Sequence, residues 1–213
     1  MQHYDWIIWD WNGTLLDDVE LALEVANGML ARRGLPVMDL ERYRAIFDFP
    51  VERYYRAAGF DFDREPFSVL ADEFISEYKR RVGEAALHGE VPRVLSRIAE
   101  AGPSQAVLSA SRQQSLEEAV ARFGVLKHFE ALQGLSDHFA VSKAEVGRRL
   151  VERLGLSGDR TVMVGDTTHD AEVAADMGVH CVLIARGHQS AERLQDCGVP
   201  VYRTLSEWCS EVC

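Results

Sequence analysis

Two short acidic segments are the first places in this sequence where side chains could do chemistry. Asp10 directly follows the apolar run Trp6-Ile7-Ile8-Trp9 and opens Asp10-Trp11-Asn12-Gly13-Thr14. A carboxylate at the carboxyl end of a strand stands where open α/β sheets bind ligands. There it can attack phosphorus and form a covalent intermediate, although Asp and Gly also suit an ordinary turn. The second segment, Gly165-Asp166-Thr167-Thr168-His169-Asp170, follows Thr161-Val162-Met163-Val164 in the same way. Two carboxylates four residues apart at a strand-to-helix junction can converge on one hard cation. Magnesium prefers oxygen ligands and takes one or two carboxylates beside phosphate oxygens. The competing role for this pair is an acidic helix start.

Two further groups could complete such a site. Ser109 closes the run Val107-Leu108-Ser109, and a hydroxyl with the next backbone N–H groups at a helix start can hold phosphate oxygens. Serine caps helices for purely structural reasons too. Lys143 is one of three lysines, with Lys79 and Lys127, against twenty arginines. It falls in the expected first turn of a helix, where the macrodipole disfavours a cation. An anionic partner explains that placement, and a fixed ammonium there would neutralise a nucleophile and a transferring phosphoryl group. A solvated surface lysine is the alternative.

The elements that must position these residues follow from hydrophobic patterning. Five short apolar runs, Trp6–Trp9, Ala106–Leu108, Phe129–Leu132, Thr161–Val164 and Cys181–Ile184, end in polar or glycine-rich turns. Most are apolar almost without interruption, as parallel strands buried on both faces are. Helical patterns lie between the later runs. Ser142-x-x-Glu145 reads as a capping box with Gly155 as the stop, and Thr167-x-x-Asp170 precedes a helix over Ala171–Met177 that stops at Gly178. Ser111-x-x-Gln114 reads as another box. Strands alternating with helices predict an α/β fold with a doubly wound parallel sheet.

Residues from about Asp17 to Leu87 break the alternation. Val19, Ala22, Leu23, Ala26, Met29 and Leu30 recur at helical spacing. Gly34 and Pro36 end that helix. A second helix is expected after Asp39 and a third after Asp63, with Phe67, Leu70, Phe74 and Tyr78 on one face. The chain therefore divides into a core, 1–16 and 88–213, and a helical insertion, 17–87.

Bulk properties limit the function classes. At 213 residues the chain can bury a sizeable core. Its net charge of -11 argues against nucleic acid or an anionic membrane as main partner. A small phosphorylated molecule remains possible, because a local cation outweighs the distant field. No apolar stretch approaches the ~20 residues of a membrane span. Four cysteines without a CxxC pair read as free thiols of a reducing cytosol, so a cytoplasmic location is expected. Oligomeric state is left open.

The order Asp-x-x-Gly-Thr, Ser, Lys, Gly-Asp-x-x-x-Asp over nearly the whole chain resembles the haloacid dehalogenase superfamily, in particular its phosphoglycolate phosphatase-like and β-phosphoglucomutase-like members. The resemblance implies a Rossmann-like core with a C1-type helical cap after the first strand, and Mg2+ as cofactor. It assigns Asp10 as nucleophile and metal ligand, the backbone carbonyl of Asn12 as a second ligand, and Asp166 and Asp170 as the remaining acidic ligands. Thr14 would support the loop at the substrate, Ser109 and Ala110 would bind the phosphoryl oxygens, and Lys143 would bridge Asp10 and the phosphate.

Asn12 departs from that pattern. Phosphatases of this family carry Asp there as acid and base, and an amide cannot exchange a proton at useful pH, whereas such help is commonly worth ~10²–10⁴-fold. Three explanations stand: another group such as His169 or a cap residue supplies the proton; the leaving group is activated, as in an acyl phosphate; or the protein binds phosphoryl ligands with little turnover. Phosphonoacetaldehyde hydrolases also lack the second Asp, but they need a cap lysine, and Lys79 is the only one in the insertion. Metal-free dehalogenases would leave the Asp166/Asp170 pair unexplained. Arg42, Arg44, Arg53 and Arg56, in a region expected to be helical around Phe47–Pro50, are candidate substrate-binding or surface groups, and Trp11 is expected near the site entrance.

Overall fold

The computed structural model describes residues 3–135 and 142–213. In chain order the first half holds β1 (Trp6–Trp9), β2 (Leu16–Asp17), α1 (Val19–Arg32), α2 (Leu40–Ile46), α3 (Val51–Ala58), α4 (Phe67–Arg81) and β3 (Ala86–Leu87). The second half holds α5 (Val91–Ala101), β4 (Ser104–Arg112), α6 (Gln113–Arg122), β5 (Ala131–Leu135), α7 (Lys143–Leu154) and β6 (Thr161–Gly165). It ends with α8 (Thr168–Met177), β7 (His180–Ile184), α9 (Ala191–Gln195), β8 (Val201–Tyr202) and α10 (Leu205–Val212).

The main sheet has the order β5-β4-β1-β6-β7-β8, and every pairing in it is parallel. This is the doubly wound α/β sheet expected from the alternating pattern. Successive side chains of a strand point to opposite faces, so each strand feeds two cores. Ile7, Trp9, Val107, Val162, Val164 and Val182 pack with α5, α6 and α10. Ile8, Ala106, Leu108, Met163 and Leu183 pack with α7, α8 and α9. Trp9 meets Trp208 of α10 edge-on with ring centroids 5.5 Å apart. Its indole N–H donates to Gln105 Oε1 at 3.0 Å, and Gln105 donates onward to the Leu95 carbonyl at 3.1 Å. The buried polar atoms thus cost little of the gain from burial.

α1 to α4 form a separate helical unit around Met29, Leu30, Tyr43, Tyr54, Tyr55 and Leu70. Arg33, at the end of α1, pairs with Glu65 at 2.6 Å and with Glu73 of α4 at 2.5 Å. The chain leaves the core through β2 and returns through β3, which pair antiparallel with Leu16 opposite Leu87. Both crossings therefore run side by side.

Several local expectations change. The region around Phe47–Pro50 is a break between α2 and α3 and carries no helix. Pro50 has no N–H to carry the α2 hydrogen-bond ladder onward. The helix expected after Asp63 starts at Phe67, behind Pro66. Ser111 does not cap α6: β4 runs on to Arg112, which takes the N-cap position with no side-chain hydrogen bond. The fifth strand lies at Ala131–Leu135, two residues later than the run Phe129–Leu132 suggested. There Gln113 accepts from the Gly134 N–H at 2.6 Å and donates to the Leu132 carbonyl at 3.1 Å. At Ser142 the N-cap bond to Glu145 N forms, and at Thr167/Asp170 the full reciprocal box is present. Among the described residues, no helix is long and apolar enough to cross a membrane.

Candidate active site

β1 and β6 lie side by side at the centre of the sheet, so the residues that follow them emerge together. Asp10 N donates to the Val164 carbonyl at 2.8 Å, which holds the nucleophile candidate against the end of β6. Asp166 and Asp170 come from the turn after β6 and the first turn of α8. One carboxylate oxygen from each of Asp10, Asp166 and Asp170 lies within 4.8 Å of the others, and all three residues are buried. Lys143 enters from the first turn of α7. Its ammonium pairs with Asp10 Oδ1 and, at 2.7 Å, with Asp170 Oδ1. That contact accounts for a lysine at a helix start, where the dipole alone disfavours it.

The remaining oxygens are held by short-range donors. Asp166 Oδ1 accepts from the Thr14 hydroxyl at 2.8 Å and Oδ2 from the His188 N–H at 2.7 Å. Asp170 Oδ2 accepts from the backbone of Asp166 and Thr167 and from the Thr167 hydroxyl. Thr14 thus spends its hydroxyl on Asp166 and steadies the acidic group from below. Ser109 is buried, its Oγ accepting from Ser111 N at 3.1 Å, and Ala110 follows it half-buried at the same strand end. The backbone is packed tightly around the carboxylates. A Cβ on Gly13, whose φ is +78°, would collide with the Asp166 carboxylate and the His188 ring, and one on Gly187 would also strike Asp166.

Three carboxylates against one ammonium leave a formal surplus of two negative charges. At ~4.8 Å and an effective dielectric of ~20, two such charges repel by about 3 kcal/mol. The pKa values carry the same strain. Burial pushes Asp10 up to about 8, with Asp170 and Asp166 adding to the push and Lys143 opposing it. Burial likewise raises Asp166 to about 6, with the charge of Asp170 adding and His188 opposing. For Asp170, burial acts upward, but Lys143 and Thr167 hold it below the ordinary range. Lys143 is lowered by burial, yet the two carboxylates win and raise it. An all-oxygen, charge-rich donor set of this kind fits a small divalent cation.

The model of the haloacid dehalogenase-like hydrolases matches residues 7–184. The chain belongs to that family. The chain is 30% identical over 191 residues to a phosphoglycolate phosphatase from Caulobacter vibrioides, covering 85% of this chain and 79% of that one. It is 27% identical over 199 residues to a 5'-nucleotidase from Pseudomonas aeruginosa, covering 90% and 87%. A haloacid dehalogenase-like hydrolase from Streptococcus pneumoniae superposes with a TM-score of 0.84 at 20% identity, covering 99% of each chain, and shares the fold. Such relatives put this haloacid dehalogenase-like enzyme among the phosphoric monoester hydrolases.

Beside the acidic group, this haloacid dehalogenase-like hydrolase has a second polar cluster that the sequence did not reveal. Asp18, just before α1, is 1% exposed. It accepts from Gly13 N at 2.8 Å, from Asn12 Nδ2 at 2.9 Å and from the Tyr78 hydroxyl, and lies 3.3 Å from His188 Nε2. His188 Nδ1 meets the Tyr43 hydroxyl at 2.8 Å, and its ring stacks on Phe47. Burial would lower His188, but the charge and hydrogen bond of Asp18 raise it to about 9. Gln189 joins the two units, accepting from Thr168 N at 2.7 Å and donating to the Phe47 carbonyl at 2.9 Å.

The remaining candidates lie elsewhere. His169 stacks on Phe49 and pairs with Glu172 at 3.1 Å at the rim. Arg44 donates to the carbonyls of Gly187 and Arg186, both at 2.9 Å, so it ties α2 to the loop after β7. Arg56 covers the Phe62 ring at 4.3 Å, while Arg42 and Arg53 are exposed. Lys79 is exposed on α4. Trp11 is in the core at 1% exposure, against Phe123, and does not reach the site entrance. An indole that follows a buried strand gains more from packing than from exposure.

Proposed function

We propose that this chain is a magnesium-dependent phosphohydrolase that acts on a small phosphorylated metabolite through an aspartyl-phosphate on Asp10. The carrying observation is the buried Asp10–Lys143 pair with Asp166 and Asp170 beside it. Asp10, Asp166, Asp170 and the Asn12 carbonyl would hold the cation, which supplies charge neutralisation at the phosphoryl group. In this reading Asp10 attacks phosphorus in line with the departing oxygen. Lys143 orients the attacking carboxylate and balances charge on the equatorial oxygens. Ser109 and the Ala110 N–H bind those oxygens, and water then hydrolyses the acyl phosphate. α1 to α4 serve as the cap that excludes bulk water, and the free thiols accord with the cytoplasm.

A second reading has one observation in its favour. The Asn12 amide is fully engaged by Asp18, Tyr78 and Ser111, so position 12 offers no proton to a leaving alcohol. That favours a leaving group of low basicity, as in an acyl phosphate, or transfer of the phosphoryl group to a second acceptor. The test is phosphate release from acetyl phosphate, p-nitrophenyl phosphate and a panel of sugar, nucleotide and carboxylic-acid phosphates, with magnesium or with chelator. The expected result is magnesium-dependent release that disappears in Asp10→Asn. Release that survives this substitution would overturn the proposal, and a preference for acetyl phosphate would select the second reading.

A further inference from the structure

Asn12 is the position where the family pattern is broken, and its surroundings show what the amide is for. Nδ2 donates to Asp18 Oδ2 at 2.9 Å and to the Tyr78 hydroxyl oxygen at 2.8 Å. Oδ1 accepts from the Ser111 hydroxyl at 2.9 Å. Both N–H groups and the carbonyl are therefore used. The three partners come from three elements: the turn before α1, the end of β4, and α4 of the helical unit. The amide is a joint between core and insertion.

The direction of each bond is fixed. Tyr78 donates its own proton to Asp18 Oδ2, so toward Asn12 its oxygen can only accept. Asp18 Oδ1 accepts from Gly13 N at 2.8 Å and faces His188 Nε2 at 3.3 Å. A buried carboxylate that only accepts requires donors on every side. An aspartate at position 12 would remove the Nδ2 donor to Asp18 and the one to the Tyr78 oxygen, and set a second carboxylate against the first. The amide at 12 and the carboxylate at 18 are thus matched as donor and acceptor.

We propose that Asp18 and Tyr78 are positioning residues for the catalytic loop: they hold Asn12, and with it the turn that carries Asp10, in register with α4. Residues 12, 18 and 78 then act as one unit, and Asn12 is the neutral half of a pair with Asp18 and not a disabled acid. Only the kinetic readout of this inference rests on the phosphohydrolase reading.

The test uses the full chain with Asn12→Asp, Asp18→Asn, the double exchange Asn12→Asp/Asp18→Asn, and Tyr78→Phe. Thermal midpoints are measured without ligand, and kcat and KM with magnesium and acetyl phosphate. For groups in direct contact the single exchanges should each lower kcat by roughly tenfold or more, and the double exchange should recover at least about tenfold over Asn12→Asp. The midpoints should show the same non-additive recovery. Tyr78→Phe should lower kcat by about threefold to tenfold with KM unchanged, since the hydroxyl orients the loop and does not bind substrate. Additive effects in both rate and midpoint would overturn the inference, as would a rise in kcat from Asn12→Asp whatever stands at 18. If Asp10→Asn still releases phosphate, the phosphohydrolase reading fails, and the midpoint cycle alone decides the pairing of 12 with 18.

Discussion

Two polar clusters lie next to each other at the top of the sheet, and they are built on opposite principles. Asp10, Asp166, Asp170 and Lys143 gather charge faster than they balance it, and all four come from the core. Asn12, Ser111, Asp18, Tyr78, His188 and Tyr43 match donor to acceptor and take members from both the core and the helical unit. The first cluster stores a demand for an outside cation and a phosphoryl group. The second is complete in itself. Reactive groups are therefore recognisable by what they lack, and positioning groups by how fully they are paired.

Substitutions can break or sharpen that contrast. The largest effect is expected from Lys143→Met, which strips the acidic cluster of its one cation. Removing one member of a buried ion pair typically costs about 3–5 kcal/mol, read as a fall in denaturation midpoint, and phosphate release should fall by about 10²–10³-fold. Next comes the cation itself. Magnesium at about a hundred times its Kd should stabilise the wild type by about 2.7 kcal/mol. Asp166→Asn should abolish that rise in calorimetry, and an unchanged rise would move the metal elsewhere. Gly13→Ala strains a positive φ and drives a methyl into Asp166 and His188. It should cost about 1–3 kcal/mol in chemical denaturation. The smallest effect belongs to the complete cluster. Tyr43→Phe removes the partner of His188 Nδ1 and should cost about 1 kcal/mol, with magnesium binding by titration calorimetry unaffected.

The sequence made the acidic cluster readable because each member stands directly beside an apolar run or a helix start. Asp10 and Asp166 follow β1 and β6 without a gap. Lys143 was conspicuous because lysine is rare in this chain and the helix dipole opposes it there. The paired cluster left no such mark. Asp18 reads as an ordinary residue before a helix. Tyr78 shares a helical face with Phe67, Leu70 and Phe74, so periodicity assigns it to the lid core, while its hydroxyl reaches back to Asn12. His188 and Gln189 lie in a loop after β7, where no periodicity applies. Ser111 looked like a cap because nothing local tells a strand end from a helix start. Trp11 reads as an entrance residue because the contact that buries it is with Phe123, more than a hundred residues away. The two-residue strands β2, β3 and β8 are too short for any pattern to register.

The place of β1 in the sheet has a consequence for how the chain reaches this state. β1 precedes every other strand, yet its neighbours are β4 and β6, which begin at Ser104 and Thr161. Loop closure must be met before such remote pairings reward it. During synthesis, Trp6-Ile7-Ile8-Trp9 is made early and waits for residues more than 150 positions later, while α1 to α4 find one another by local contacts. That apolar tetrapeptide then lacks one of its two strand neighbours until β6 is made, and nascent chains stalled before β6 are where association or chaperone capture through it is expected.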